Sequence, residues 1–190
     1  MSAFLDYPKF HKKINYSKTK EMLLKPLSKL SIPPVVINYN SIERVCRFKL
    51  LEVYISNDLS WNLHVDYICA RANARLHCLK RLKHAGLPTD RLAMWYSSVI
   101  RPVLEYCAVV WHHGLKKYQT DEIEAIQRRA IRIIYPVTTS MPLPYWAALQ
   151  YAELPSLSDR RDKLCRNFFR KLLNTSNCIN LHLSSVATPS

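Results

Sequence analysis

The chain has 190 residues, of which 48% are hydrophobic, and a formal net charge of +14 at pH 7. A chain of this length can bury one moderate core. Its two glycines cannot form a glycine-rich phosphate loop, so P-loop and dinucleotide-binding proteins are excluded. The basic surplus favours contact with nucleic acid or an anionic membrane surface; a solvated basic surface without a partner is the alternative.

No apolar run approaches the ~20 residues of a membrane span, and residues 1–7 lack the apolar region of a secretory signal. The six cysteines form no Cys-x2-Cys pair of the kind that binds zinc in ribbons and knuckles. We therefore expect an intracellular protein of the cytoplasm or nucleus, with reduced thiols, no membrane contact, no cofactor and no metal site.

Residues 1–56 are predicted to form a small β-hairpin unit. Residues 1–30 are polar and basic, and residues 35–38 are rich in the β-branched side chains that favour strands. Residues 45–56 form a second extended run, and residues 38–41 between the two runs predict a turn. We expect the runs to pair as one hairpin, which is marginal in water unless its apolar face is covered.

From Trp61 onward, apolar residues recur at spacings of three and four and predict one long amphipathic helix. Gly86 is suited to follow the end of this helix, and Pro88 cannot continue it. Basic residues are expected on the face opposite the apolar stripe. They are Arg71, Arg75, Lys80, Arg81 and Lys83.

Thr89 is predicted to cap a second helix, which Pro102 should break or kink near Ile100. Residues 103–111 should restart as a short buried helix. Thr120 is predicted to cap a third helix, with acidic residues early and basic residues late, as the helix dipole favours. The late basic residues are Arg128, Arg129 and Arg132.

The prolines at 136, 142 and 144 predict a linker, and residues 158–173 predict a last helix. The expected fold is mainly α: a small N-terminal β-hairpin followed by a helical bundle. Three units result, namely residues 1–56, residues 57–135 and residues 136–190. Trp95 and Trp111 lie in apolar patterns and are expected in the core, whereas Trp61 stays a candidate for base stacking.

Residues 101–112 and 121–134 resemble the region after the catalytic palm in reverse transcriptases of LINE-type (non-LTR) retrotransposons. The resemblance extends over residues 14–183. Residues 15–22 fit an Asn-x-x-Lys-Thr-x-x-Met segment, and residues 48–55 fit a Phe-Lys-x-Leu-Gly-Val-x-Ile strand. Residues 60–64 resemble the opening of the thumb helices, and residues 154–161 resemble the C-terminal helical region. Together the motifs imply the end of a palm, a thumb and the helices that follow.

The chain departs from the family in its catalytic residues and in two turns. The Tyr-x-Asp-Asp motif that holds two Mg²⁺ ions is absent, so we expect a truncated copy of an RNA-directed DNA polymerase with no catalytic residue of its own. Glu52 stands where the family has glycine and would repel a primer phosphate. Tyr39 replaces the glycine of an Asn-Gly turn, so that hairpin should be less well formed.

The resemblance implies that basic thumb residues track the phosphates of a primer–template duplex, and that Lys18 lies near the incoming nucleotide. We expect weak, sequence-independent and salt-dependent binding to RNA or DNA. An ordinary solvated helix face is the alternative for each cation. The predicted nucleic-acid-binding residues are Lys18, Lys20, Arg71, Arg75, Lys80, Arg81, Lys83, Arg128, Arg129 and Arg132.

Two functions of other classes stay open. A helical protein-interaction module would use an apolar face that once met the missing palm, and it predicts self-association. An AlkB-type alkylated-DNA-repair oxygenase would use the His-x-Asp pair of His64 and Asp66, with His112, His113 or His182 as a third iron ligand. The pair is expected on a helix, where residues two apart do not face one another, which argues against the oxygenase.

Overall fold

The computed structural model describes residues 15–25, 27, 31–135 and 144–173. The fold is mainly α, with short strands at the N-terminal end, as predicted from the sequence. The prolines at 136 and 142, His182 and the predicted C-terminal tail lie outside the described residues.

Six short strands precede the helices. They are β1 (Lys20–Glu21), β2 (Val36–Ile37), β3 (Asn40–Ser41), β4 (Glu43–Arg44), β5 (Arg47–Leu50) and β6 (Val53–Ser56). Strand β1 pairs in parallel with β4, whereas β2 pairs with β3 and β5 pairs with β6 in antiparallel hairpins.

The prediction that the two extended runs pair with each other is wrong. Residues 36–37 of the first run pair with residues 40–41, and the second run folds back so that residues 47–50 pair with residues 53–56. Asn38 and Tyr39 have φ angles of 47° and 62°, and Leu51 and Glu52 have φ angles of 46° and 66°. Two consecutive residues with positive φ make the two-residue turn that matches the twist of a hairpin. Glycine adopts a positive φ such as that of Glu52 without strain, whereas glutamate does not.

The rest of the described chain is helical. The helices are α1 (Asn62–His84), α2 (Thr89–Trp95), a π-helical turn (Tyr96–Ile100), α3 (Arg101–Glu105), α4 (Ala108–Trp111), a 3₁₀ turn (His112–Gly114), α5 (Lys117–Ile134), α6 (Tyr145–Tyr151) and α7 (Leu157–Leu173). Helix α6 is not anticipated by the sequence pattern. Its seven residues follow Pro144, whose fixed φ suits the start of a helix.

The long helix and its end are confirmed. Gly86 has a φ of +84°, and its amide donates to the carbonyl of Lys83 at 3.0 Å. The amide of Leu87 donates to the carbonyl of Leu82 at 3.2 Å. These bonds satisfy carbonyls that the last turn would otherwise leave without a partner.

Neither threonine predicted as a helix cap occupies the cap position, because each lies within its helix. Thr89 is the first residue of α2 and follows Pro88, which occupies the cap position. Thr120 lies inside the first turn of α5, which begins at Lys117. There the side chain of Gln119 accepts a hydrogen bond from the amide of Lys116 at 2.8 Å, the bond that the third helical residue makes to the cap residue in a capping box.

Pro102 does not break the helix near Ile100; of the break or kink predicted there, a local distortion is found. The chain stays helical through the π turn and α3, in which Pro102 is the second residue. The amide of Arg101 donates to the carbonyl of Tyr96, so the hydrogen bonds already have the π-helical spacing where the proline lacks its amide. The break falls instead at Cys107, whose φ of +51° ends the helix before α4 restarts.

The core lies where α1 and α5 pack together and are covered by the segments from α2 to α4 and by α7. Trp111 is fully buried, and Trp95 packs against the core, as predicted. None of the described helices is both long enough and apolar enough to cross a membrane.

Candidate nucleic-acid interface

A groove of about 560 Å³ runs between α1 and α5 on the outside of the bundle. Its floor is apolar, and its rims are polar and basic. The lining residues are Asn73, Leu76, His77, Lys80, Arg129, Arg132 and Ile133.

Helical spacing explains why cations meet at this groove. Leu76 is buried between the helices, and Lys80 follows it by four residues, about one turn later, at the groove's edge. On α5, the buried Ala130 and Ile131 lie between Arg129 and Arg132. The contact between the two helices therefore brings three cationic side chains from distant parts of the sequence to one place.

The three cations are available to a ligand. Lys80, Arg129 and Arg132 are exposed, and within the described residues none of them forms an ion pair. Arg129 donates from Nε to the carbonyl of Ala125 at 3.3 Å, which leaves its terminal nitrogens for other partners. His77 adds a fourth polar group that the sequence analysis missed, although it precedes Lys80 by three residues and shares its face.

Four other predicted residues are already engaged by the protein. Lys20 pairs with Glu43. Arg75 donates to the carbonyl of Val99 at 2.5 Å, and Lys83 donates to the carbonyl of Ile133. The fourth, Arg71, pairs with Glu52. Because these donors face protein acceptors, each would have to give up a contact before binding a phosphate.

Arg71 belongs to a cluster around Glu52. Its Nη1 lies 2.9 Å from Oε2 of Glu52 and 2.6 Å from the hydroxyl of Tyr67, while Lys49 lies 3.0 Å from the other carboxylate oxygen. The Tyr67 hydroxyl and the Lys49 ammonium hold the pKa of Glu52 below its usual value, so the carboxylate stays ionised. Glu52 thus neutralises a cation that was predicted from the sequence to bind phosphate.

The remaining three predicted residues are exposed but lie away from the groove. Lys18 lies in the turn before β1. Arg81 lines a separate shallow pocket on α1 with Trp95. The guanidinium of Arg128 lies 4.7 Å from the ring centre of Tyr145, a cation–π contact.

The prediction that the basic residues of α1 share one face is therefore wrong. Arg71 and Arg75 contact the hairpin and the π turn, Lys80 lines the groove, and Lys83 contacts the end of α5. At about 100° per residue, positions 71 and 83 differ by a third of a turn around the helix axis. Counting basic residues outside an apolar stripe does not show which edge of the stripe each one occupies.

Trp61, the tryptophan that the sequence allows as a candidate for base stacking, packs against the core, and its indole lies against Gly114. A Cβ at Gly114 would approach Nε1 of Trp61 to 2.3 Å, so only glycine fits there. Trp146, on α6, is instead 65% exposed. The apolar pattern around Trp146 gave no signal of this, because α6 itself was not predicted.

The structure does not bring His64 and Asp66 together as an iron site. His64 is buried beside Trp61 and Trp111, and its Nδ1 accepts a hydrogen bond from the amide of Tyr54, 3.4 Å away. Asp66, in contrast, is exposed. Burial lowers the pKa of His64 to about 4. His64 is thus a neutral core histidine, as its apolar neighbours favour.

Comparison of the chain with protein-family models, with curated proteins and with solved structures finds no match in any of the three.

Proposed function

We propose that the chain is a non-catalytic fragment of a LINE-type reverse transcriptase that binds RNA or DNA without sequence preference. The site is the groove between α1 and α5, and the ligand is the sugar–phosphate backbone. The proposal places the protein inside the cell, in the cytoplasm or nucleus, where such ligands occur.

One observation carries the proposal: Lys80, Arg129 and Arg132 converge on a single groove, with no acidic partner among the described residues. Phosphate contacts from lysine and arginine supply most of the affinity in non-specific binding to nucleic acids. The groove offers no acidic side chain to repel a phosphate.

The sequence motifs support the same function. Residues 60–64 and 121–134 resemble the thumb, whose helices hold a primer–template duplex in the complete enzyme. The sequence contains no Tyr-x-Asp-Asp, and we propose no nucleotidyl transfer for this chain. The proposed role is therefore to hold a strand, without chemistry.

Salt-dependent binding tests the proposal. Fluorescence anisotropy with a labelled single-stranded RNA and a DNA duplex should show affinity falling roughly 20- to 40-fold between 50 and 200 mM salt, as expected for about three phosphate contacts. The variant Lys80→Gln/Arg129→Gln/Arg132→Gln should lower the slope of log affinity against log salt by about 2 to 3.

The matched control is Lys18→Gln/Arg81→Gln/Arg128→Gln, which also removes three exposed positive charges but none from the groove. It should keep most of the slope. If both triple variants lose affinity equally, net charge explains the binding and the groove has no special role. Binding that does not respond to salt would remove the electrostatic account altogether.

A second candidate function is a protein-interaction module. Large apolar side chains are exposed on several described elements, among them the β5–β6 hairpin and α7. On these two elements they are Phe48, Leu50 and Leu51 on the hairpin, and Leu164, Phe168, Phe169 and Leu173 on α7. Exposed apolar surface of this kind predicts self-association. Analytical ultracentrifugation at tens of micromolar would test it, and a single monomeric species would count against this candidate.

A further inference from the structure

His112 and His113 form the 3₁₀ turn that follows the buried Trp111, and Asp162 lies on α7, about fifty residues later. The packing of α4 and the 3₁₀ turn against α7 brings the three side chains together. One ligand atom from each lies within 4.8 Å of the other two, and the two imidazole ring centres are 5.0 Å apart. Within the described ranges this is the one group of three that could hold a metal.

We propose that His112, His113 and Asp162 form a binding site for a zinc-class divalent transition-metal ion, with water completing the coordination. Two imidazole nitrogens and one carboxylate oxygen are a donor set suited to Zn²⁺, Co²⁺ and Ni²⁺. The site is separate from the α1–α5 groove and does not depend on nucleic-acid binding.

The three ligand atoms need to move only a short distance toward one another to bind an ion. A tetrahedral zinc ion holds its ligand atoms about 3.4 Å apart, so the three side chains must approach by about 1 Å. His113 is exposed and can rotate without disturbing the core. A bound ion would link the turn before α5 to α7, so metal binding should stabilise the fold.

One of the ligands is held in place by a neighbouring side chain. One carboxylate oxygen of Asp162 pairs with Arg166, which holds the carboxylate and leaves the other oxygen for an ion. Such contacts commonly orient metal ligands in proteins.

Arg161 opposes the site and sets the expected affinity. Its Nε lies 3.4 Å from Nδ1 of His112, so the free imidazole carries its proton on Nε2. Binding through Nε2 moves that proton to Nδ1, and binding through Nδ1 displaces the guanidinium; either route loses the contact. The positive charge of Arg161 also repels the ion. We therefore expect micromolar affinity, weaker than that of structural zinc sites.

The test uses the full chain, freed of metal with EDTA, and Co²⁺ as the probe at pH 7.5. Titration should give one ion per chain, with a visible absorption spectrum of nitrogen and oxygen coordination and a rise in melting temperature. His113→Ala and Asp162→Asn should each weaken binding at least tenfold. His84→Ala, which removes an exposed histidine at the end of α1, should bind as the unaltered chain does.

Circular dichroism and the melting temperature in EDTA show whether each variant folds. His113 is exposed, so His113→Ala should match the unaltered chain in both measurements. Equal Co²⁺ affinity in His113→Ala, in Asp162→Asn and in the unaltered chain would overturn the site. So would a thiolate charge-transfer band, since it would assign the ion to a cysteine such as the exposed Cys46 or Cys78.

Discussion

The helical bundle and the N-terminal hairpins differ in how much of themselves they bury. From α1 to α7 the structure has a continuous core that includes the fully buried Trp111. Among the described residues before α1, the buried hydrophobic side chains are Ile42 and Val53. The hairpins instead expose apolar side chains, with Leu51 77% exposed.

Backbone conformation divides the two regions in the same way. Five of the seven described non-glycine residues with positive φ lie before α1, four of them in the hairpin turns. Left-handed conformations cost non-glycine residues roughly 1 kcal/mol each. The hairpins thus carry strain and little core, and they depend on contacts such as that of Val53 with the bundle. We infer that the bundle supplies the cooperative stability and that the hairpins open first.

The largest expected effect comes from the bundle core. Trp111→Ala removes a fully buried ring and the bond from its Nε1 to the carbonyl of Tyr106, 2.9 Å away. It should lower the free energy of unfolding by about 3–5 kcal/mol. Leu51→Ala, in the exposed hairpin turn, should change it by less than about 0.5 kcal/mol. Urea unfolding measures both, and similar losses in the two variants would contradict the division between the regions.

Buried charge in the bundle should give the next largest effect. Arg161 is fully buried, and its two terminal nitrogens have no hydrogen-bond partner in the part of the chain that is described. Burial lowers its pKa, and the charge of Glu124 opposes that shift. The carboxylate of Glu124 also accepts hydrogen bonds from the amide of Ser158 at 2.7 Å and from the hydroxyl of Tyr145 at 2.6 Å. The bundle therefore depends on Glu124 to compensate a buried guanidinium.

Glu124→Gln should accordingly destabilise the protein by about 3 kcal/mol, because it removes the larger of the two carboxylate contributions, from Glu124 and Glu105, that offset the buried charge of Arg161. Arg161→Met alone should be nearly neutral, since it exchanges an unsatisfied cation for an apolar chain of similar length. In the Arg161→Met background, Glu124→Gln should cost much less. Equal costs in the two backgrounds, measured as a double-mutant cycle, would show that the two residues do not interact.

Acid should destabilise the bundle through His64. Its pKa is lowered from 6.5 to about 4 in the folded state, so the unfolded chain takes up a proton first as the pH falls. The stability from the neutral imidazole is complete above pH 6.5 and is lost between pH 6.5 and pH 4. The loss should reach roughly 2–3 kcal/mol at pH 4. His64→Phe should remove this part of the pH dependence in urea unfolding at pH 7 and pH 4.5; an unchanged pH dependence would exclude His64 as its source.

The two regions also differ in how well the sequence predicts them. The apolar repeat of α1 extends over six turns, so its period and its end at Gly86 could be read directly. The strands have two to four residues, too few to show which partner each one takes. Asn38 signals the first two-residue turn, whereas the second turn consists of Leu51 and Glu52, which give no turn signal, so the fold-back of residues 47–56 could not be predicted.

The candidate groove was predictable only in part. Lys80, Arg129 and Arg132 could be identified as basic helix residues, but their convergence depends on how α1 and α5 are rotated against each other. That rotation is set by side-chain packing in the core. For the same reason the sequence could not show that Arg71 faces Glu52, or that His112 and His113 meet Asp162.

The smallest expected effect is a gain within the hairpin region. Tyr39 is fully exposed and has a φ of 62°, so glycine should relieve strain there without loss of packing. Tyr39→Gly should stabilise the β2–β3 hairpin by about 1 kcal/mol, and exchange of the Ile42 amide, which donates to the carbonyl of Val35 at 2.8 Å, should slow about fivefold. Global unfolding in urea should not change, because the hairpin opens before the bundle. A matching rise in global stability would mean that the hairpin and the bundle unfold as one unit, and the comparison between the two regions would fail.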